Sequence, residues 1–324
     1  MVRQRLVQAM QSAIREEMQR DRRVIVFGED VRISVFGATR GLVEEFGPER
    51  VLNTPISEQS IIGTALGAAA TGLRPIVDLM TGNFFYTGMD QVANQIAKLP
   101  YMTGGQIRLP LVLLATTGAA GGNAAQHSDS PYPALMNLGG LKIVLPSTPA
   151  DAKGLFKSAI RNDNPVVFLQ QAAIGGVRGE VPDDPEWLVP LGLADVKRVG
   201  QDVTVVAIGL MVRRALEAAA PQAAEGIDIE VIDPRTLAPL DFDTIFASVQ
   251  KTGRLVVVDE ARQACSAASE IAATVAEQGF QWLKAPIGRV TSHNVPIPYA
   301  RVMENYVVPD QARITAAVHR LMGR

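Results

Sequence analysis

Cysteine is nearly absent from this sequence: Cys265 is the single one in 324 residues. One thiol can form neither an internal disulfide nor a thiolate metal cluster, which fits a reducing compartment and makes the cytoplasm the default location. Histidine is scarce too, with His127, His293 and His319 as the whole set. Neither sign of charge dominates. The 31 basic and 33 acidic residues leave a formal charge of −2, and both signs are spread along the chain, so nothing marks a nucleic-acid or anionic-membrane surface. No apolar run reaches the length of a membrane span, because Gly, Pro or charge interrupts each candidate. Met1 to Arg23 spaces Leu6, Val7, Met10, Ile14 and Met18 among Arg, Gln and Glu, as an amphipathic helix does; an export signal needs an unbroken apolar core and a small-residue cleavage site. A P-loop and a GxGxxG fingerprint are both missing, which weakens any independent nucleotide-binding role. There is no repeat of fixed period and no low-complexity tail.

What is present is apolar material in quantity. At 47% hydrophobic residues, the chain can bury a substantial core and is long enough for two domains. Strands are expected at Val24 to Phe27, Arg74 to Met80, Leu109 to Ala115, Leu141 to Leu145 and Val166 to Leu169. Helices alternate with them, one from about Met89 to Tyr101 and one over Asp151 to Arg161. That alternation predicts an α/β fold, a parallel sheet with helices on both faces, because right-handed crossovers need a connecting helix. From Ile174 to Val199 the periodicity dissolves among Gly175-Gly176, Pro182, Pro185 and Pro190, which reads as an interdomain crossing. The pattern then resumes from Val203, ending with a helix over Asp310 to Met322, as a second, smaller α/β domain. The expected division is 1–175, a linker at 176–200, and 201–324.

The stretch that organises the rest is Asn53-Thr54-Pro55-Ile56-Ser57-Glu58-Gln59-Ser60, which runs into the small-residue segment Ile61 to Gly72. Pro55 ends an extended run, Ser57 can cap a helix through its hydroxyl, and Glu58 falls in the first turn. Gly63, Gly67 and four alanines leave so little side chain that the helix is expected to be buried on all sides. Glu58 can serve the helix dipole alone. It can also be a carboxyl held in a low-dielectric slot, suited to exchanging a proton with a ligand nitrogen.

This segment resembles the glutamate region of the beta subunits of thiamine diphosphate-dependent 2-oxo acid dehydrogenases, the decarboxylating component of pyruvate, branched-chain 2-oxo acid and acetoin dehydrogenase complexes, within the transketolase-like superfamily. The resemblance implies a pyrimidine-binding domain followed by a transketolase C-terminal-like domain. It gives Glu58 the role of hydrogen-bonding the aminopyrimidine ring nitrogen of the cofactor. Met80-Thr81-Gly82-Asn83-Phe84-Phe85 is similar to the family's second segment, in which an aromatic residue stacks on the pyrimidine, and Phe84 aligns with it; on its own a phenylalanine here is core packing. Gln126-His127-Ser128 is similar to the loop histidine motif. A histidine titrates near working pH and can donate a proton to a 2-oxo acid or assist acyl transfer to a lipoyl group, the role implied for His127; a lone histidine in a Gly-rich loop is otherwise a surface residue. Glu58, Phe84 and His127 all follow strands, and could share one rim.

Asp151 to Val167 is the longest family-like stretch. There the resemblance implies a structural potassium ion on the backbone carbonyls of Leu111, Ala159, Ile160, Asn162 and Asn164; the plain alternative is a helix stopped by Asn-Pro. Val231 to Asp241, Val258 to Ala261 and Val295 to Tyr299 are also similar to the family. Two segments depart from it: Leu113 to Gly122, just before the histidine loop, lacks the Arg or Gly-Pro elements, and Gln263 to Ser269 lacks a glycine-rich turn. The Gly-Asp-Gly segment that binds diphosphate through magnesium is missing. The chain is therefore expected to own half a site and to need an alpha subunit, which holds the magnesium, in an α2β2 heterotetramer that serves a lipoyl-bearing acyltransferase. The implied activity is oxidative decarboxylation of a 2-oxo acid with acyl transfer to lipoamide. A carboligase on the same two-subunit plan is the alternative that the altered loop motivates, and a non-catalytic structural subunit is the alternative of another class.

Overall fold

The computed structural model describes residues 1–324, which form two compact units: Met1–Thr117 with Ala134–Leu191, and Gly118–Pro133 with Gly192–Arg324. In chain order the elements of the first half are β1 (Val2–Arg5), α1 (Leu6–Arg20), β2 (Val24–Gly28), α2 (Leu42–Phe46), β3 (Val51–Asn53), α3 (Glu58–Ala70), β4 (Arg74–Thr81), α4 (Leu99–Met102), β5 (Val112–Thr117), α5 (Tyr132–Met136), β6 (Lys142–Val144), α6 (Pro149–Arg161) and β7 (Val166–Gln171). Then follow β8 (Arg178–Val181), β9 (Asp195–Arg198), β10 (Val203–Ala207), α7 (Leu210–Ala224), β11 (Ile229–Asp233), β12 (Thr236–Ala238), α8 (Phe242–Thr252), β13 (Leu255–Arg262), α9 (Ala267–Gln278), β14 (Gly288–Ser292), α10 (Arg301–Val307) and α11 (Gln311–Met322).

In the first unit the strands run β6-β7-β5-β4-β2-β3, parallel at every pairing. β5 and β7 are buried at every position, as strands covered on both faces must be. α1 lays Leu6, Met10, Ile14 and Met18 inward. Against its other flank lies α6, capped by the Thr148 hydroxyl. Between them is an ion cluster: Lys153 reaches Glu16 at 2.7 Å, Arg161 reaches Glu17 at 2.7 Å, and the fully buried Lys157 pairs with Glu16. Buried lysines are tolerated only when paired like this.

The second unit is a sheet ordered β14-β13-β10-β11-β9, parallel except for β9, which runs antiparallel to β11 at the edge. Val206, Ile232, Leu255 and Val257 of the sheet pack with Ile245 and Val249 of α8 and Ile271 and Val275 of α9 into one core.

Four local expectations are corrected. The segment from Met89 to Tyr101 is not one α-helix: the Ala97 N–H donates to the Val92 carbonyl (3.0 Å), five residues back, in a wide π turn over Gln91–Ile96, and a short α4 follows with Pro100 near its start. Ser57 flanks α3 but its side chain does not cap it; the hydroxyl pairs with Ser60 Oγ at 3.0 Å. α3 is not buried all round in this chain: Ile61, Ile62, Ala65 and Ala69 are buried, while Thr64, Gly67 and Ala70 are exposed. The region from Ile174 to Val199 is not irregular throughout, since β8 pairs with β1 and β9 joins the second sheet.

Candidate functional site

Because β2, β3 and β4 are parallel neighbours, their carboxyl ends lie along one edge of the first unit's sheet, where open parallel sheets take ligands. Three short segments leave that edge. Gly28-Glu29-Asp30 follows β2, Thr54 to Ser57 leads from β3 into α3, and Gly82 to Tyr86 follows β4 as a tight helical turn. The Thr54 N–H donates to the Gly28 carbonyl (3.0 Å), tying the first two together.

Glu58 is the first residue of α3 and is half-buried, at the positive end of the helix dipole. The chain just after the turn that carries Phe84 is seated against this same helix start. A Cβ on Gly88 would lie 2.5 Å from Ile62 Cδ1 and 3.3 Å from the Glu58 carbonyl oxygen, so only glycine lets the two segments approach so closely. Of the adjacent aromatics, Phe85 is fully buried in the core, whereas Phe84 is half-buried. Glu29 joins the group electrostatically: burial, then Asp30 and Glu58, hold its carboxyl above the usual range. Nothing in the local sequence pattern singles Glu29 out.

The bend that aims β4 at this edge has its own cause. Asp78 accepts the Met80 N–H at 2.9 Å, Met80 adopts a left-handed φ of 62°, and the pairing with β5 shifts between Asp78 and Thr81. Burial pushes the Asp78 carboxyl up to about 6. Two hydroxyls of this region, Thr54 Oγ1 and Thr81 Oγ1, are buried with no partner in the chain.

His127 lies in the other unit. The segment Gly118–Pro133 leaves β5 and packs with the second unit before the chain returns to the first. Its base closes through the Gly118 N–H on the Asp129 carbonyl at 3.2 Å. The end of β13 holds it at three points: the Glu260 carboxylate accepts the Ala119 N–H (2.6 Å), Asp259 pairs with the Tyr132 hydroxyl, and Arg262 reaches Asp129 at 2.7 Å. On α10, Glu304 accepts the N–H groups of Gly121 (2.8 Å) and Gly122 (2.9 Å). At the tip, Ala125–His127 forms one tight turn with His127 exposed.

The other two histidines are occupied otherwise. His293 stacks on Tyr306 with centroids 5.1 Å apart, and His319 meets Gln222 at 2.5 Å and Glu225 at 3.4 Å.

At the carbonyl set around the end of α6, Arg74 donates to Ile160 O (2.9 Å) and Asn162 O (3.2 Å), Ala159 O accepts the Asn162 N–H, and Leu111 O accepts the Val166 N–H. Each such oxygen keeps a second lone pair. No group of three or more His, Cys, Asp or Glu side chains is arranged to hold a metal ion. An apolar groove of about 780 Å³ along Ala272, Ala276, Phe280 and Ile287 of the second unit contains none of these residues.

Residues 4–172 match the family model for the transketolase pyrimidine binding domain, and residues 192–314 that for the transketolase C-terminal domain. The chain is 46% identical to the acetoin:2,6-dichlorophenolindophenol oxidoreductase subunit beta of Bacillus subtilis, over 97% of this chain and 96% of that one. The chain belongs to the transketolase-type family of dehydrogenase beta subunits. Within it, the pyruvate dehydrogenase E1 component subunit beta of Rhizobium meliloti is 44% identical, over 96% of this chain and 68% of the longer relative. Among solved structures, a split-gene transketolase described as an inactive beta4 tetramer matches with a TM-score of 0.79 and 25% identity, over 98% of both chains. The family of beta subunits thus accounts for both α/β units, and the pyrimidine-binding model falls on the sheet that presents Glu58 and Phe84. No helix is long and apolar enough to cross a membrane.

Proposed function

We propose that this chain is the beta subunit of a thiamine diphosphate-dependent 2-oxo acid dehydrogenase, acting in the cytoplasm with an alpha subunit in an α2β2 assembly. The observation that carries the reading is the placement at one sheet edge of a half-buried carboxyl, Glu58, and a turn bearing a half-buried aromatic, Phe84, with Gly88 just after that turn packed on the start of α3. A flat heteroaromatic ring with a basic nitrogen is the ligand such a pair fits: the phenyl face stacks and the carboxyl exchanges a proton at the ring nitrogen. Phe85 beside it is fully buried in the core, while Phe84 stays partly exposed, as a stacking role requires.

Thiamine diphosphate, when bound, supplies the nucleophilic carbon and the electron sink for decarboxylation. The chain's own residues orient and protonate: Glu58 holds a proton at the pyrimidine nitrogen, Phe84 fixes the ring plane, and His127 donates to the 2-oxo acid and assists acyl transfer to the lipoyl group of an acyltransferase. With no Gly-Asp-Gly segment and no acidic metal cluster, the diphosphate and its magnesium are assigned to the alpha subunit. The carbonyls of Leu111, Ala159, Ile160, Asn162 and Asn164 remain our candidate potassium site, with Arg74 already on two of them. A second substrate reading, acetoin, is favoured by the name of the Bacillus subtilis relative.

The test has two stages. Calorimetric titration of thiamine diphosphate with magnesium should show binding to the assembly with alpha and none to this chain alone; tight binding and turnover by the lone chain would refute the split site. The assembly is then offered pyruvate, a branched-chain 2-oxo acid and acetoin, with dichlorophenolindophenol reduction as readout. Reduction with acetoin alone would replace the 2-oxo acid reading by the second.

A further inference from the structure

The stretch from Gly118 to Ala124 should be among the loosest in the molecule. Gly118, Gly121 and Gly122 lie at φ of 81°, 80° and 103°, and even Ala124 sits at 60°; glycine backbones lose the most freedom on ordering. Yet three loop donors, the N–H groups of Ala119, Gly121 and Gly122, end on carboxylates that are themselves almost completely buried, Glu260 at 4% and Glu304 at 5% exposure. Glu260 Oε1 takes the Ala119 N–H, and the two oxygens of Glu304 take Gly121 and Gly122 separately. Where the carboxyl is ionised, bonds to it from main-chain N–H groups are about twice as strong as neutral ones. The fit leaves no spare room: a Cβ on Gly118 would lie 2.8 Å from Glu260 Oε1. Glycine at this point therefore serves the approach of the backbone to the acid as well as the left-handed turn.

We propose that Glu304 and Glu260 are positioning residues for His127, clamping the main chain of the preceding loop so that the tight turn Ala125–His127 is presented in one place. Neither carboxylate touches substrate. The proposal rests on the reading of His127 as the proton donor. It explains why a segment without the family's Arg or Gly-Pro elements can still hold a histidine loop: here buried acids of β13 and α10 supply the order.

The chemistry of Glu304 gives the test its edge. Glutamine in its place keeps one acceptor and sets an NH2 group against a second N–H donor, so E304Q loses one of the three clamping bonds at nearly constant volume. Hydrogen exchange on the full chain assembled with alpha should then show amides of residues 118–127 exchanging about tenfold faster or more, as expected for a lost buried hydrogen bond, with β10 and β13 unchanged. E260A should release the same segment. In turnover, E304Q should lower kcat and leave the KM for the 2-oxo acid unchanged, and it should cost nothing further in an H127A background. Parental exchange of the loop in both E304Q and E260A would overturn the clamp. An undiminished E304Q effect in the H127A background would overturn its action through His127. Parental kcat in H127A would overturn the histidine reading itself, and is told apart from failure of the clamp because exchange needs no turnover.

Discussion

At the scale of single residues, Glu58 is placed by three neighbours of different kinds. The amide end of α3 favours its negative charge, the backbone around Gly88 crowds its carbonyl, and Glu29 with Asp30 adds like charge nearby. A proton-exchanging carboxyl contributes typically 10²- to 10⁴-fold, so E58Q should lower kcat of the alpha-bound assembly by at least about 10²-fold while leaving assembly intact by size-exclusion chromatography; an unaffected rate would remove the proposed chemistry. Glu58, Phe84 and His127 stood out as candidates because each sits in a short motif whose residue types suggest a task. Glu29, Asp78, Glu260 and Glu304 did not. Their roles come from what lies across space, and a Val-Asp-Glu-Ala run at a strand end looks the same with or without a glycine loop hydrogen-bonded to it.

At the scale of elements, alternating apolar runs and amphipathic stretches made the parallel sheets legible, because burial on both faces writes itself into continuous Val, Leu and Ile. Periodicity was blind to the π turn at Gln91–Ile96, since one extra residue in a helical turn changes the hydrogen bonding without changing the composition. It was equally blind to the strap from Pro182 to Leu191. Prolines suggested an interdomain crossing without regular structure; in the fold, Lys157 reaches the Pro185 carbonyl, Ser158 Oγ donates to Val189 O (2.7 Å), and Gly154 of α6 lies directly under the strap. A Cβ on Gly154 would meet Val189 Cγ2 at 2.5 Å and Trp187 Nε1 at 2.9 Å. Overpacking of this kind costs about 1–3 kcal/mol. G154A should therefore lower the thermal midpoint and increase proteolytic cleavage between 182 and 191, even though alanine is the better helix former; a raised midpoint would show that the strap yields freely.

At the scale of the whole molecule, buried acids set the response to pH. Desolvation pushes Glu260 up to about 7 from an ordinary 4.5, and Asp78 up to about 6 from 3.8. In those windows the folded chain holds protons that the unfolded chain has released, so stability from these groups is fully present below the ordinary values and declines as pH rises through the folded ones. Asp21 and Asp163, paired with Arg23 and Arg74, are held below the usual range and act with the opposite sign at lower pH. E260Q removes one declining contribution. Its thermal midpoint relative to the parent should improve between pH 5 and pH 8; a gap independent of pH would mean that Glu260 does not titrate in this window.

The path of the chain through its two units bears on how the molecule comes into being. Residues 118–133 emerge from the ribosome well before Asp259, Glu260 and Glu304, the groups to which they are fastened. While the first sheet is completed around β6 and β7, the histidine loop has nothing to bind. It is captured only when β13 and α10 arrive, so a nascent chain stalled near Leu191 would carry the edge proposed for the cofactor already shaped and its histidine still unplaced.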